Sequence, residues 1–276
     1  MYAQNRFDLP AIDNTFGPHA KASNRYMFVP TPKILDVLSD HGFSVVSASQ
    51  GQSLSPYARH RVELTHDSFE PFDVVPGDTV NLRVSLFNGH NSRTGFCLHA
   101  GAYRSCCANG MVFGGKNTFA NTIKFRHLGT FNEDFIEGVY RVIDNAKSTL
   151  IRMREMSQLQ LTHDEQRDFT TKALALRWPQ SSPVEVSAAL QPRRSQDAGD
   201  SLWQVYQRVQ ESLIKGGMPG RTSSNRLTTV RALKSIDRNV KINSELFDLA
   251  TEYLDKDKPQ TIDPNQWAFD NNLESF

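Results

Sequence analysis

Val80-Asn81-Leu82-Arg83-Val84-Ser85-Leu86-Phe87 is the stretch whose reading decides the fold. Val80, Leu82, Val84 and Leu86 stand on one side; Asn81, Arg83, Ser85 and Phe87 stand on the other. A period of two with one apolar side marks a strand of an antiparallel sheet packed on one face. Three further runs share the pattern. Phe43, Val45 and Ser47 alternate with Ser44, Val46 and Ala48; Arg59, Arg61 and Glu63 alternate with His60, Val62 and Leu64; Phe96, Leu98 and Ala100 alternate with Cys97 and His99. Ile123-Lys124-Phe125-Arg126 offers a fifth strand, and Ser68 to Asp78, with Pro71, Pro76 and Gly77, reads as a loop.

Helical signals flank this sheet. Thr31-Pro32 opens a helix, with Thr31 as N-cap and Pro32 at the first helical position, and Gly42 closes it. Beyond Asn132, Phe135, Ile136, Val139, Tyr140, Val142 and Ile143 recur at helical spacing. Thr162 and Glu165 form a capping box for a helix reaching Trp178-Pro179. Ser201 to Ile214 is amphipathic and stops at Gly216-Gly217, and Ser244 to Leu254 is a last helix. The expected class is α+β: an antiparallel sheet of four to five strands packed on helices, followed by a mainly helical C-terminal part. The expected divisions are a flexible arm over 1–23, a core domain over 24–160, a helical region over 161–254 and an acidic tail over 255–276.

Charge is segregated although the chain as a whole carries a net charge of only +1. Thr79 to Asn132 contains no Asp or Glu but carries Arg83, Arg93, Arg104, Lys116, Lys124 and Arg126. On a shared sheet, Arg59 and Arg61 join that set, with Tyr103 and Phe87 as aromatic neighbours. A cationic groove that tracks phosphates, with aromatics that stack on bases, is how proteins hold single strands without reading sequence. A second cationic stretch holds Lys215, Arg221, Arg226, Arg231 and Lys234. From Glu245 onward the sign reverses, with eight acids against Lys256 and Lys258, and the tail carries Trp267 and Phe276 as candidate partner contacts.

Other chemistry is weakly represented. Gly114-Gly115-Lys116-Asn117-Thr118 lacks the spaced first glycine of a phosphate loop, and no dinucleotide fingerprint is present. The cysteines are Cys97, Cys106 and Cys107, an odd count without Cys-x-x-Cys spacing, which reads as structural thiols rather than disulfides or a metal site. No catalytic residue, metal or cofactor is expected. No apolar run approaches the ~18 residues that span a bilayer, and Met1 to Pro18 lacks a signal pattern, so a cytoplasmic protein without membrane contact is expected.

The chain resembles the phage- and plasmid-borne family known as domain of unknown function 932. The resemblance rests on Arg25-Tyr26 with Phe28-Val29-Pro30-Thr31, on His41-Gly42-Phe43, and on Asn88-Gly89-His90-Asn91-Ser92. It continues with Tyr103-Arg104, Cys107-Ala108-Asn109-Gly110 and Arg126-His127. Late in the chain come Leu202-Trp203, the run Gln210 to Gly217, and Ile236 to Asn243. The family usually has a Ser-His-Asp-Gly type turn where this chain has Gly89 and Asn91, a departure that removes the acid. The resemblance implies a mobile-element setting and no particular activity. In element order alone, the chain is also similar to the single-strand annealing proteins of phage recombination, whose sheet and helix form a basic groove in a ring of subunits.

The function expected is therefore single-stranded DNA binding or annealing in recombination or replication, by a homo-oligomer, with the acidic tail recruiting a replication or host-defence partner. A phage protein that inhibits a host defence component without DNA affinity is the alternative, and an enzyme acting at Asn88 to Ser92 with His127 is a third reading.

Overall fold

The computed structural model describes residues 7–24, 26–51, 53–91, 95–104, 110–112, 122–125 and 133–257. Its centre is β4 (Asp78–Asn88), whose apolar side supplies Val80, Leu82, Val84 and Leu86, all buried. β2 (His60–His66) pairs antiparallel with one edge of β4, setting Val62 against Leu86 and Leu64 against Val84. β5 (Phe96–Arg104) pairs with the other edge, from Val80 against Arg104 to Phe87 against Cys97. β1 (Phe43–Gln50) lies outside β2.

Three short strands complete a seven-stranded sheet. β3 (Phe72–Val75) turns back on β4 at Pro76-Gly77. β6 (Gly110–Val112) pairs with the end of β5, and β7 (Thr122–Phe125) with its beginning. The antiparallel α+β expectation holds. The loop expected over Ser68 to Asp78 is instead mostly hairpin: its prolines flank β3 without interrupting it, and Gly77, at φ 81°, makes the turn.

Helices cover one face of the sheet. α2 (Thr31–Asp40) buries Ile34, Leu35 and Leu38 beside Phe43 and ends at Gly42, φ 81°. Thr31 is its first residue, and its hydroxyl points into the core instead of capping; Pro30 holds the N-cap position. α3 (Glu133–Gln158) packs on β3, β4, β5 and β7 through Phe135, Val139, Val142 and Ala146. α4 (His163–Arg177) begins at the Thr162–Glu165 capping box, as the sequence indicates.

The hub of the helical part is α6 (Leu202–Lys215), buried at every position but Gln204 from Leu202 to Ile214 among α3, α4, the short α5 (Val186–Ala189) and α7 (Ile236–Asp257). α7 starts eight residues before the expected Ser244, because Asn239, Asn243 and Ser244 disguise its inner face. Asn243 is fully buried and accepts from Gln210 Nε2 at 2.7 Å, which satisfies two amides inside the α6–α7 contact. Between these helices, β8 (Pro219–Arg221) and β9 (Leu227–Thr229) form a separate hairpin.

One apolar cluster runs from Ile12 to Leu254, so the expected core and helical regions share an interior. Part of the expected arm meets the core, while Phe16 is 80 % exposed. α1 (Pro10–Asp13) buries Ala11 and Ile12, and the Ala11 amide donates to Gln50 Oε1 at 2.9 Å. Among the described residues, no helix is long and apolar enough to cross a membrane.

Candidate nucleic-acid interface

Strand alternation places Asn81, Arg83, Ser85 and Phe87 of β4 on the face away from the helices, beside Arg61 and Glu63 of β2 and Cys97, His99, Gly101 and Tyr103 of β5. A bulge between Val45 and Ser47 turns the edge strand β1 and leaves Val46 exposed. The result is a cleft of about 390 Å³ lined by Val46, Ser47, Ser49, Arg61, Glu63, Arg83, Ala102 and Tyr103. Gly101 lies opposite Arg83 and brings no side chain to the cleft there.

Of the expected cations, Arg61 and Arg83 line this cleft and Arg59 lies beside it. Arg61 is ion-paired with Glu63 and donates from Nη2 to Ser85 Oγ at 3.2 Å, and the same hydroxyl donates to Glu63 at 3.1 Å. Arg59 is ion-paired with Asp237 at the start of α7. Both guanidinium groups lie over the Phe87 ring, at 5.8 Å for Arg59 and 5.5 Å for Arg61. Arg83 differs: among the described residues it meets no carboxylate. Tyr103, one of the two aromatics expected beside the cations, is 36 % exposed.

Two expected contacts are corrected. Phe87 is wholly enclosed beneath Arg59 and Arg61 and edge-on to His99, so it supports the face without touching a ligand. Arg104 follows Tyr103 in β5 and therefore points to the opposite side, into the core. There it donates from Nη2 to Asp78 Oδ2 at 2.6 Å and from Nη1 to Asp197 Oδ1 at 2.5 Å, while Trp203 Nε1 donates to Asp78 Oδ2 at 2.8 Å. Burial alone would push the Arg104 pKa down; the two carboxylates outweigh it and hold the guanidinium above its ordinary value. Lys124 is placed by its backbone, paired with Cys97 across β5 and β7. Arg93, Lys116, Arg126, Trp267 and Phe276 lie outside the described residues, as do Cys106, Cys107 and His127.

The turn after β4, weighed above as an enzyme site, is drawn inward. Asn88 and His90 are buried. Asn88 Nδ2 donates to Thr31 Oγ1 at 2.9 Å, and Thr31 Oγ1 lies 2.7 Å from His60 Nε2. His60 Nδ1 lies 3.0 Å from the Ala58 carbonyl, which can only accept, so Nδ1 carries the proton and Nε2 accepts from the Thr31 hydroxyl. Burial holds the His60 pKa down to about 4, helped by the Arg59 charge and opposed by the Ala58 hydrogen bond. This knot of neutral groups pins the start of α2 to the end of the sheet.

Sequence reasoning missed three participants. Glu63 was legible, since Arg61 and Glu63 are two apart on a strand and share a face. Asp237 was not, because it comes from 178 residues away. Cys97 Sγ lies 3.2 Å from His99 Nε2 and 3.7 Å from Arg59 Nη2, a contact also joined through the fold. Among the described residues, no group of three His, Cys, Asp or Glu side chains is placed to hold a metal ion.

The chain is 32 % identical over 241 residues to the UPF0380 protein YfjQ of Escherichia coli (strain K12), covering 86 % of this chain and 85 % of that one. The UPF0380 protein YafZ of the same organism shows the same identity and coverage. No solved structure matches. The model of the family described as domain of unknown function, DUF932, matches residues 18–247, a span that holds the whole sheet, the helices α2 to α6 and the cleft. On that match and on the identity to its relatives, the chain belongs to the DUF932 family.

Proposed function

We propose that this protein binds single-stranded nucleic acid, DNA in the first instance, across the face of its sheet that carries Arg83 and Tyr103. The observation that carries the reading is the pair Arg83 and Tyr103 in one open cleft: a cation that meets no carboxylate among the described residues, beside an exposed ring. Arg83 supplies a phosphate contact and Tyr103 a stacking surface, and neither reads a base edge, so sequence preference is weak. Glu63 and Asp237 make the face less cationic than the sequence suggests. Arg59 and Arg61 are already engaged, and their share of phosphate binding is smaller than that of Arg83. The mobile-element setting, annealing or recombination as the process, and assembly into a homo-oligomer complete the proposal.

Fluorescence anisotropy with single- and double-stranded oligonucleotides at two salt concentrations tests it. Arg83→Ala should weaken binding and reduce the slope of log K against log salt by about 0.7, the contribution of one phosphate on a single strand. Tyr103→Ala should cost about 1–3 kcal/mol and leave that slope unchanged. If neither variant alters affinity, the sheet face is only a solvated surface.

A further inference from the structure

A second cleft, of about 520 Å³, opens where the 51–59 loop meets residues 234–237 at the start of α7. Its charged lining is Arg59, Lys234 and Asp237, and His19, Tyr57, Ser53 and Ser55 also line it. Two features join it to the sheet-face cleft. Arg59 lines the second cleft and Arg61 lines the first, and both lie over the one Phe87 ring. Arg59 also holds Asp237, the sole acid lining this cleft among the described residues.

The chain entering the cleft at Lys234 comes from the β8–β9 hairpin. From Arg221 to Thr229 every residue of that hairpin is exposed, and no acid occurs between Ser212 and Ile236. Arg221, Arg226, Arg231 and Lys234 form no ion pair among the described residues. The hairpin is nevertheless fixed at its base. Gly217 N–H donates to Val230 O at 2.8 Å, Val230 N–H to Met218 O at 2.9 Å, and Arg177 Nη2 to Arg231 O at 2.7 Å. Unpaired cations on a rigid base meet a polyanion without first losing flexibility.

We infer that the second cleft is a phosphate-binding site for a polyanionic chain, continuing the track of the sheet face, with Lys234 as its cation and Asp237 as a built-in competitor that holds Arg59. A strand crossing both clefts meets Arg83, then Arg61 and Arg59, then Lys234. Phosphate arriving at Lys234 competes with the Asp237 carboxylate for Arg59, so Asp237 lowers affinity and limits binding to ligands with several linked phosphates. The inference rests on the reading of the sheet face as a polyanion surface, yet it can be tested with a probe too short to span both clefts.

That probe is tripolyphosphate, titrated at low salt and followed by calorimetry and by thermal melting of the full chain. A unit charge at contact distance in water changes affinity roughly fivefold. Lys234→Ala should therefore weaken tripolyphosphate binding about that much, and Asp237→Asn should tighten it by a similar factor. In an Arg83→Ala background, which removes the cation of the other cleft, both changes should keep their sign and size. Melting temperatures of the ligand-free variants show whether each is folded, and the opposite signs of Lys234→Ala and Asp237→Asn distinguish a site from lost stability. Wild-type protein indifferent to tripolyphosphate, or binding it equally in all variants, overturns the second cleft, whatever oligonucleotides do. If tripolyphosphate follows the expected pattern and oligonucleotides do not bind, the cleft stands and the nucleic-acid reading falls.

Discussion

Replacing Arg104 with Met keeps most of the aliphatic volume and removes the charge from the most enclosed ion-pair network among the described residues. Arg104 is 0 % exposed, Asp78 3 % and Asp197 1 %. Without the guanidinium, Asp78 keeps one hydrogen bond, from Trp203 at 2.8 Å, and Asp197 keeps Arg194 at 3.4 Å. Removing one partner of a buried pair costs about 3–5 kcal/mol, because a charge is left uncompensated. Two carboxylates are stranded here, each with one residual partner, so a loss of about 4 kcal/mol is expected, a large part of the ~5–15 kcal/mol that holds a domain together. Urea denaturation of the wild type, Arg104→Met, and the triple variant with Asp78→Asn and Asp197→Asn measures it. The triple variant should recover about half of the loss or more, since amides bury at lower cost than unpaired carboxylates. An Arg104→Met protein within about 1 kcal/mol of wild type would match an exposed pair and refute the argument. A folded variant whose oligonucleotide salt slope fell by about 0.7 would return Arg104 to the phosphate surface.

Acid should destabilise the protein through His60. Its folded pKa of about 4 lies below the ordinary 6.5, so between these values the unfolded chain binds more protons, and stability is lost as pH falls from about 6.5 to 4. The shift corresponds to about 3 kcal/mol, and denaturation midpoints at pH 7 and 4.5 should converge towards those of a His60→Asn variant as the pH drops. Gly216→Ala should cost about 2 kcal/mol or more, because φ is 65° and a Cβ would lie 2.5 Å from Val230 O. Hydrogen exchange should then show the β8–β9 hairpin opening at its base, and an unaltered exchange pattern would mean that the turn relaxes freely.

The strands carrying Val62, Val80 to Leu86 and Leu98 were readable because in each an aliphatic side alternates with a more polar one, and period two records that directly. The capping box at Thr162 was readable for the same reason: donor and acceptor are local. Arg104 was misassigned because its charge outweighed its place in the alternation. Tyr103 faces the solvent, so Arg104 must face the core, where Asp78 and Asp197 neutralise it. The early start of α7 escaped notice because Asn243 and Gln210 satisfy each other across two helices, and buried amides look like surface in one dimension. The same holds for the site. Arg83, Arg61 and Tyr103 were visible on their strands, but the acids that temper them depend partly on a contact 178 residues long.

The Asp78–Arg104–Asp197–Trp203 network also constrains how the chain matures on the ribosome. Trp203 reaches Asp78 across 125 residues. When the strands have emerged and α6 has not, a guanidinium and a carboxylate face a half-built interior with their outer partners missing. Long-range closures of this kind slow folding, because the chain loses its freedom before the contact forms. The sheet therefore waits for the last third of the sequence. A nascent or truncated chain ending before Trp203 would still lay α3 on the sheet but would expose the apolar side that α3 turns to α6, a surface for chaperones to cover until α6 arrives.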